Sequence, residues 1–455
     1  ASYLARVQYS YKGKYMASGA IRADGSSRFG KNNRWGYFPS ASLAWRVSGE
    51  DFFTKAKFLS FVDDLKIRTS YGVTGNFQIG NYDHLSLMAL DNYILGTGNG
   101  QLVQGYKPNT IKNDDLSWEK NAMVNVGVDL QMFKGLLGIT VDYYNTNTSN
   151  MLLNVPVPHL TGYSTALMNI GKVNNRGWEI ALTSQKNFTK DFGYSFNANY
   201  ATNTNEVKAL GPGNAPIIST GSVDHAYYIT KVGEPIGCYY LLVQDGIFSN
   251  EEELKKYPHF SNTQPGDFRF VDVDGDGVMD LDKDRTIVGN YMPDFTYGFG
   301  GKVWYKGIDL DFNFQGVYGN EILNLNRRYI DNLEGNTNGT TIALNRWKSA
   351  DNPGNGQVNR ANRKSKGYNG RTSTWHLEDG SYLRLQNVTL GYTLPQNLTR
   401  RFFVEKLRVY LWTSTNYGGY NPEVNARPSN SLSPGEDYGT YPLAKTFLFG
   451  LNITL

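Results

Sequence analysis

The chain has 455 residues, and its 45 Lys and Arg against 41 Asp and Glu leave a net charge of +4, with no basic run to grip a nucleic-acid backbone. One cysteine, Cys238, excludes an internal disulfide framework and a cysteine-based zinc site, and reads as a small, partly buried residue. The 32 Tyr, 23 Phe, 8 Trp and 49 Gly favour strands joined by turns, hence an all-β chain. No run approaches the length of about 18 apolar residues that a membrane helix needs. A membrane β-barrel stays open, because there only alternate residues face lipid and each segment's signal is diluted. The chain begins ASYLARV, with no initiator Met and no signal peptide, so either a leader is removed or this is a piece of something longer.

In chain order, the first clear strand is MVNVGVDL, with Val124, Val126, Val128 and Leu130 set against Asn125 and Asp129. GITVDYY follows, with Ile139, Val141 and Tyr143 opposite Thr140 and Asp142. In YSFNANY, Tyr194, Phe196 and Tyr200 oppose Ser195, Asn197 and Asn199. GIDLDFNFQ places Ile308, Leu310, Phe312 and Phe314 on one face and Asp309, Asp311, Asn313 and Gln315 on the other. All four keep period two, the mark of a strand with unlike faces. YLRLQNVTLGY changes phase near Asn387, which predicts a bulge. FLFGLNITL closes the chain with Phe447, Phe449, Leu451, Ile453 and Leu455 on one face, the alternation a barrel needs at its closing seam.

A soluble sandwich alternates in the same way, but the connections discriminate. Tight polar turns stand at YKGK (11–14), FKGL (133–136), NFTKD (187–191) and YKGI (305–308). Between them run long connections at 75–117, 145–172, 206–294, 318–378 and 416–444. Short turns alternating with long loops describe an outer-membrane barrel, with periplasmic turns short and external loops long. The reading gives about thirteen strands. Bacterial single-chain barrels close with an even number, so the expectation is the C-terminal part of a larger barrel, with strands missing before Ala1.

The densest chemistry lies in VDVDGDGVMDLDKDR, 271–285. Aligned to an EF-hand loop, Asp272, Asp274 and Asp276 take positions 1, 3 and 5. Gly277 supplies the sharp turn at position 6, Val278 a carbonyl at 7, and Asp280 fits position 9. Position 12, where a bidentate Glu belongs, is Lys283; Asp282 or Asp284 must substitute, and Asp284 does so with a one-residue adjustment. Strand-like flanks, DFRFV and TIVGNY, leave no helices for a calcium sensor to re-angle. The expectation is a structural Ca2+ staple; Mg2+ tolerates irregular cages poorly. A solvated loop without metal is the alternative.

No catalytic constellation emerges. His84, His159, His225, His259 and His376 are scattered without paired metal spacing, and GTGNG (96–100) lacks the Lys of a phosphate loop. Glu251, Glu252 and Glu253 fit a solvated loop helix. Trp375, Trp412, Tyr417 and Tyr420 suit an interfacial girdle better than sugar stacking.

The set IRADGSSRFGKNNRWGYFPSASLAWRVS (21–48), LKIRTSYGVTGN (65–76), WEKNAMVNVGVDL (118–130), NIGKVNNRGWEIAL (169–182), 271–299, GSYLRLQNVTLGYTLP (380–395) and the closing strand resembles the C-terminal half of SusC/RagA-type TonB-dependent outer-membrane transporters. The fragments run across nearly the whole chain in family order. The family usually ends in an aromatic residue where this chain has Leu455. The resemblance implies a plugged, 22-stranded antiparallel transmembrane β-barrel in a Gram-negative outer membrane, with the plug domain absent from residues 1–455. It implies contact with TonB through the missing N-terminal region, and a SusD-like surface lipoprotein lying over the external loops as a lid. The implied activity is energy-coupled import of an oligosaccharide or oligopeptide, with no enzyme chemistry. Rival readings are a passive porin or adhesin barrel, and a secreted calcium-binding, carbohydrate-active β protein.

Overall fold

A computed structural model describes every residue except 97, 99, 164, 222–225, 364–367, 418–434 and 439–444. The chain divides into two compact units. The first comprises 1–217, 231–234 and 301–305; the second holds the remainder.

The first unit is built on long antiparallel strands, each paired with the next in sequence. They are β1 (Ser2–Tyr11), β2 (Tyr15–Gly25), β3 (Trp35–Arg46), β4 (Val62–Asn76), β5 (Glu119–Met132), β6 (Leu137–Pro156), β7 (Thr165–Asn187) and β8 (Phe192–Thr202). In the second unit the same pattern runs through β9 (Phe295–Tyr305, which straddles the division), β10 (Ile308–Tyr318), β11 (Tyr382–Thr393), β12 (Lys406–Tyr417) and β13 (Thr446–Thr454). These thirteen agree with the count of about thirteen that the alternation predicts; among the described residues a fourteenth strand, Thr204–Leu210, pairs with β7, and the fold is all-β. No described helix is long and apolar enough to cross a membrane, which says nothing of a β-barrel.

Register shows what the alternation is for. Leu310 pairs with Leu390, Leu390 with Leu411, and Leu411 with Phe449, so one row of one face is wholly apolar. That row is exposed, at 40%, 53%, 49% and 70%, whereas Asp309 on the opposite face is 8% exposed. A water-soluble sheet would bury the leucines and leave the aspartate wet. The inversion assigns the apolar face to a solvent other than water.

The tight turns form as the sequence dictates. In YKGK, Lys12 (φ +52°) and Gly13 (φ +64°) both take left-handed backbone, and YKGI repeats this at Lys306 (φ +47°) and Gly307 (φ +85°). Two consecutive positive φ values match the twist of a two-residue hairpin, and the glycine supplies the second at little cost. The phase change predicted near Asn387 is a β-bulge: Asn313 pairs with Asn387 but Phe314 with Leu385, leaving Gln386 unopposed.

The long connections need correction. Most of 145–172 is not loop: β6 and β7 remain paired from Asn145–Arg176 to Pro156–Thr165, with irregularities around Asn150 (φ +56°). Asn lowers strand propensity, but here the asparagines form the ladder's own polar contacts. Asn174 Nδ2 donates to Asn145 Oδ1 at 2.6 Å and to Asn147 Oδ1 at 2.9 Å. The connection 75–117 carries a hairpin, Met88–Leu95 with Gln101–Pro108. Short helical turns at 47–59 and 396–402 occupy two connections that the sequence left unassigned.

The stretch 206–294 contains strands of its own. In the second unit Tyr227–Thr230, Cys238–Leu242 and Arg285–Gly289 form antiparallel neighbours, and Gln244–Ile247 pairs with Phe268–Phe270. Two cores accompany them. One gathers Ala226, Tyr228, Tyr239, Leu241, Leu323 and Leu325; the other gathers Leu242, Ile247, Phe260, Phe268, Phe270 and Met279. The helix expected at the three glutamates is Glu251–Lys256, capped by Asn250, whose side chain accepts from the backbone of Glu252 and Glu253. Cys238 is buried, its Sγ 3.3 Å from the carbonyl of Pro235.

Candidate functional site

The Asp-rich loop hangs between Phe268–Phe270 and Arg285–Gly289, so both flanks are strand, as the sequence predicts. Asp272, Asp274 and Asp276 converge, with one carboxylate oxygen from each lying within 4.8 Å of the others. The backbone forces this convergence. Asp272 accepts from the N–H of Gly275 and of Gly277, each at 2.8 Å, curling the chain around its carboxylate. Gly275 (φ +73°) and Gly277 (φ +81°) supply the left-handed turns such a curl requires. Asp274 accepts from Asp276 N–H, and Asp276 from Val278 N–H.

Asp280 and Asp284 fall in a different set. Asp284 is fully enclosed, and its two oxygens accept from Val273 N–H at 2.9 Å and Asp280 N–H at 2.6 Å. Asp280 accepts from Asp282 N–H and Lys283 N–H. Asp284 therefore ties the two ends of the loop together through backbone. Lys283 sends its ammonium to Asp276 at 3.5 Å and offsets part of the crowding. Backbone donors, that of Gly277 foremost, hold the Asp272 carboxyl below the usual range; those of Asp282 and Lys283 do the same for Asp280. An ionised, oxygen-only donor set on a tight loop fits a hard dication such as Ca2+.

The polar faces of the long strands carry ion pairs that composition did not reveal. In the first unit Arg68 Nη1 and Nη2 donate to Asp142 at 2.7 and 2.6 Å, while its Nε donates to Asp129 at 3.1 Å. Lys66 adds a contact to Asp129 at 2.8 Å. Gly127 lies between Arg68 and Asp142 in register, and a Cβ there would stand 2.5 Å from Asp142 Oδ1. In the second unit Arg408 Nε and Nη2 grip Asp309 at 2.9 and 2.6 Å, reaching past Gly391. Each glycine clears a path for a bidentate pair. The polar alternation was legible, but the partners depend on register.

Of the histidines, His84 and His259 lie beside the carbonyls of Arg28 and Tyr257. His376 is fully enclosed; its Nδ1 accepts from Ser373 N–H at 3.2 Å, and burial, aided by nearby Arg327, pushes its pKa down to about 3. His225, Tyr420 and part of 96–100 lie outside the described residues, as do the side chains of His159 and Tyr417. The girdle expectation fails for two tryptophans. Trp375 packs on the second core, 5.3 Å from Phe268, with the Arg327 guanidinium 4.1 Å from its ring. Trp412 pairs with Thr389 in the same row as Asp311, on the polar face. One group of exposed aromatics stands beside the tight turns, at Tyr11, Tyr15, Phe133, Phe188, Phe192 and Tyr305. The motifs YKGKY, FKGL and NFTKDF carried that signal openly.

The family model described as "TonB dependent receptor-like, beta-barrel" matches residues 1–230. The chain belongs to that family. TonB-dependent receptor barrels are outer-membrane proteins, and the inverted exposure of the strands agrees. TonB-dependent receptor P3 of Formosa agariphila is 33% identical over 99% of this chain and 45% of its own length. TonB-dependent receptor SusC of Bacteroides thetaiotaomicron is 30% identical over 99% of this chain and 43% of its own length. The RagAB peptide importer in its closed-closed state superposes with a TM-score of 0.80 at 27% identity, covering 99% of this chain and 47% of that one. The likeness to SusC/RagA-type barrels is thereby shown. The first two are receptors and the third is an importer. The chain spans about half the length of the TonB-dependent receptors it matches.

Proposed function

We propose that this chain is the C-terminal barrel portion of a transporter that imports an oligosaccharide or oligopeptide across a Gram-negative outer membrane. The observation that carries the reading is the exposed apolar row Leu310–Leu390–Leu411–Phe449 set against buried Asp309. Lipid covers such a row, and the paired charges of the other face suit a hydrated interior. A TonB contact and a plug are assigned to the part of the protein outside this chain, and a SusD-like lipoprotein is the lid on the loops. The 27% identity to RagAB supports a two-component importer. Membership of a TonB-dependent receptor family supports energy coupling through TonB. A deletion strain that grows normally on every oligosaccharide and peptide the parent uses would sink the reading.

The Asp-rich loop is proposed as a Ca2+ staple on an external loop. Asp272, Asp274 and Asp276 would hold the ion, with the Val278 carbonyl adding an oxygen, while Asp280 and Asp284 brace the loop through backbone N–H groups. A bound dication would neutralise the crowded carboxylates and stiffen the turn. Removing calcium with EGTA should expose 266–290 to protease in the wild type, and Asp272→Ala with Asp276→Ala should expose it with or without chelator. Equal cleavage of wild type with and without EGTA contradicts the staple.

A further inference from the structure

A separate concavity of about 560 Å3 opens in the second unit, lined by Glu251, Glu252, Pro265, Trp347, Lys348 and Ser349 among others. Its volume lies within the range of small-ligand sites. Trp347 is anchored through its main chain, whose N–H donates to the carbonyl of Val358 at 3.0 Å, and its indole packs partly against the second core. Gly266 (φ +89°) lies against the ring, where a Cβ would come within 2.4 Å of Cε3. Pro265 and Trp347 supply the apolar floor of the lining, and Glu251, Glu252, Lys348 and Ser349 supply its polar groups. Asn250 spends its side-chain oxygen on capping, which fixes the start of the helix that presents Glu251 and Glu252. Those two carboxylates and the Lys348 ammonium make no ion pair among the described residues.

We infer that this concavity is a saccharide subsite, taking one neutral pyranose ring on the Trp347 floor with its hydroxyls on Glu251, Glu252, Lys348 and Ser349. A sugar ring has an apolar C–H face and a rim of groups that both donate and accept. The floor matches the first; carboxylate acceptors, an ammonium donor and a hydroxyl match the second. A cationic side chain would meet Lys348 as well as the acids. An extended peptide needs a free strand edge for its backbone, and none of the lining segments is strand. The inference rests on the import reading and names the class of cargo within it.

The test uses the full-length protein in detergent on a printed array of neutral and acidic glycans, with a tripeptide library as a second arm. The wild type should retain at least one neutral glycan. Trp347→Ala should weaken that binding at least about tenfold, as loss of a central aromatic anchor does. Glu251→Gln with Glu252→Gln, which disturbs no core, should weaken it several-fold. The bound glycan should protect Lys348 from acetylation. Glycan binding unchanged in both variants, or retention of tripeptides alone, overturns the subsite. A deletion strain that still grows on the retained glycan overturns import instead and leaves the subsite standing.

Discussion

Within the second unit, two regions use the same residue types in opposite ways. Leu241, Leu323 and Leu325 are wholly enclosed in a core with Tyr228 and Tyr239, while Leu310, Leu390 and Leu411 stand exposed on the long strands. Tyr239 donates its hydroxyl to the carbonyls of Glu321 and Gly435 at 3.0 and 2.9 Å, a polar tip satisfied inside protein. The contrast teaches that apolar residues follow the surrounding medium. In water they gather inward, and beside lipid they turn outward.

The comparison breaks hardest at Tyr239. Tyr239→Ala should cost about 3–5 kcal/mol in the enclosed region, read as lost hydrogen-exchange protection at Tyr227–Thr230 and Cys238–Leu242, with the amides of β10–β12 unchanged. Leu411→Arg is the converse. It should cost about 2–4 kcal/mol in urea unfolding from liposomes if the row crosses the bilayer, and leave the enclosed core protected. An effect near zero would remove lipid from the exposed face. Asp309→Asn strips the countercharge from Arg408 and should cost about 1.5–3 kcal/mol by the same unfolding measurement; full tolerance would mean that water already screens the pair.

The smallest effect concerns pH. His376 is held neutral in the fold with its pKa down at about 3, against about 6.5 when unfolded. The unfolded state binds the extra proton first, so its contribution is complete above pH about 6.5 and declines as pH falls toward about 3. Proteolysis of 318–381 should quicken from pH 7 to pH 5 in the wild type and lose that dependence in His376→Asn. A flat wild-type profile would contradict the enclosed neutral imidazole.

Much of the strand region was legible because a membrane strand writes its two faces into alternate letters. Ile308 to Gln315 needed no structure to be sorted, and the bulge beside Asn387 was readable as a break in phase. The pairing of Arg68 with Asp142 was not, since it joins residues 74 apart through a register that local letters do not set. The cores of 218–294 were also hidden: short strands with mixed burial carry no clean period, and Trp375 read as an interface residue although it packs inside. For the Asp-rich loop the spacing foretold the convergence of Asp272, Asp274 and Asp276. It did not foretell that Asp284 would spend both oxygens on backbone N–H groups.

β6 and β7 have 20 and 23 residues. At about 3.4 Å per residue, the shorter reaches roughly 68 Å, and even tilted it outruns an apolar band of about 25 Å. Nearly half the ribbon must stand clear of the bilayer like a mast, stiffened by a ladder that slips register only near Asn150 and by its Asn–Asn rungs. Whatever seats on its tip is held at a fixed height above the surface.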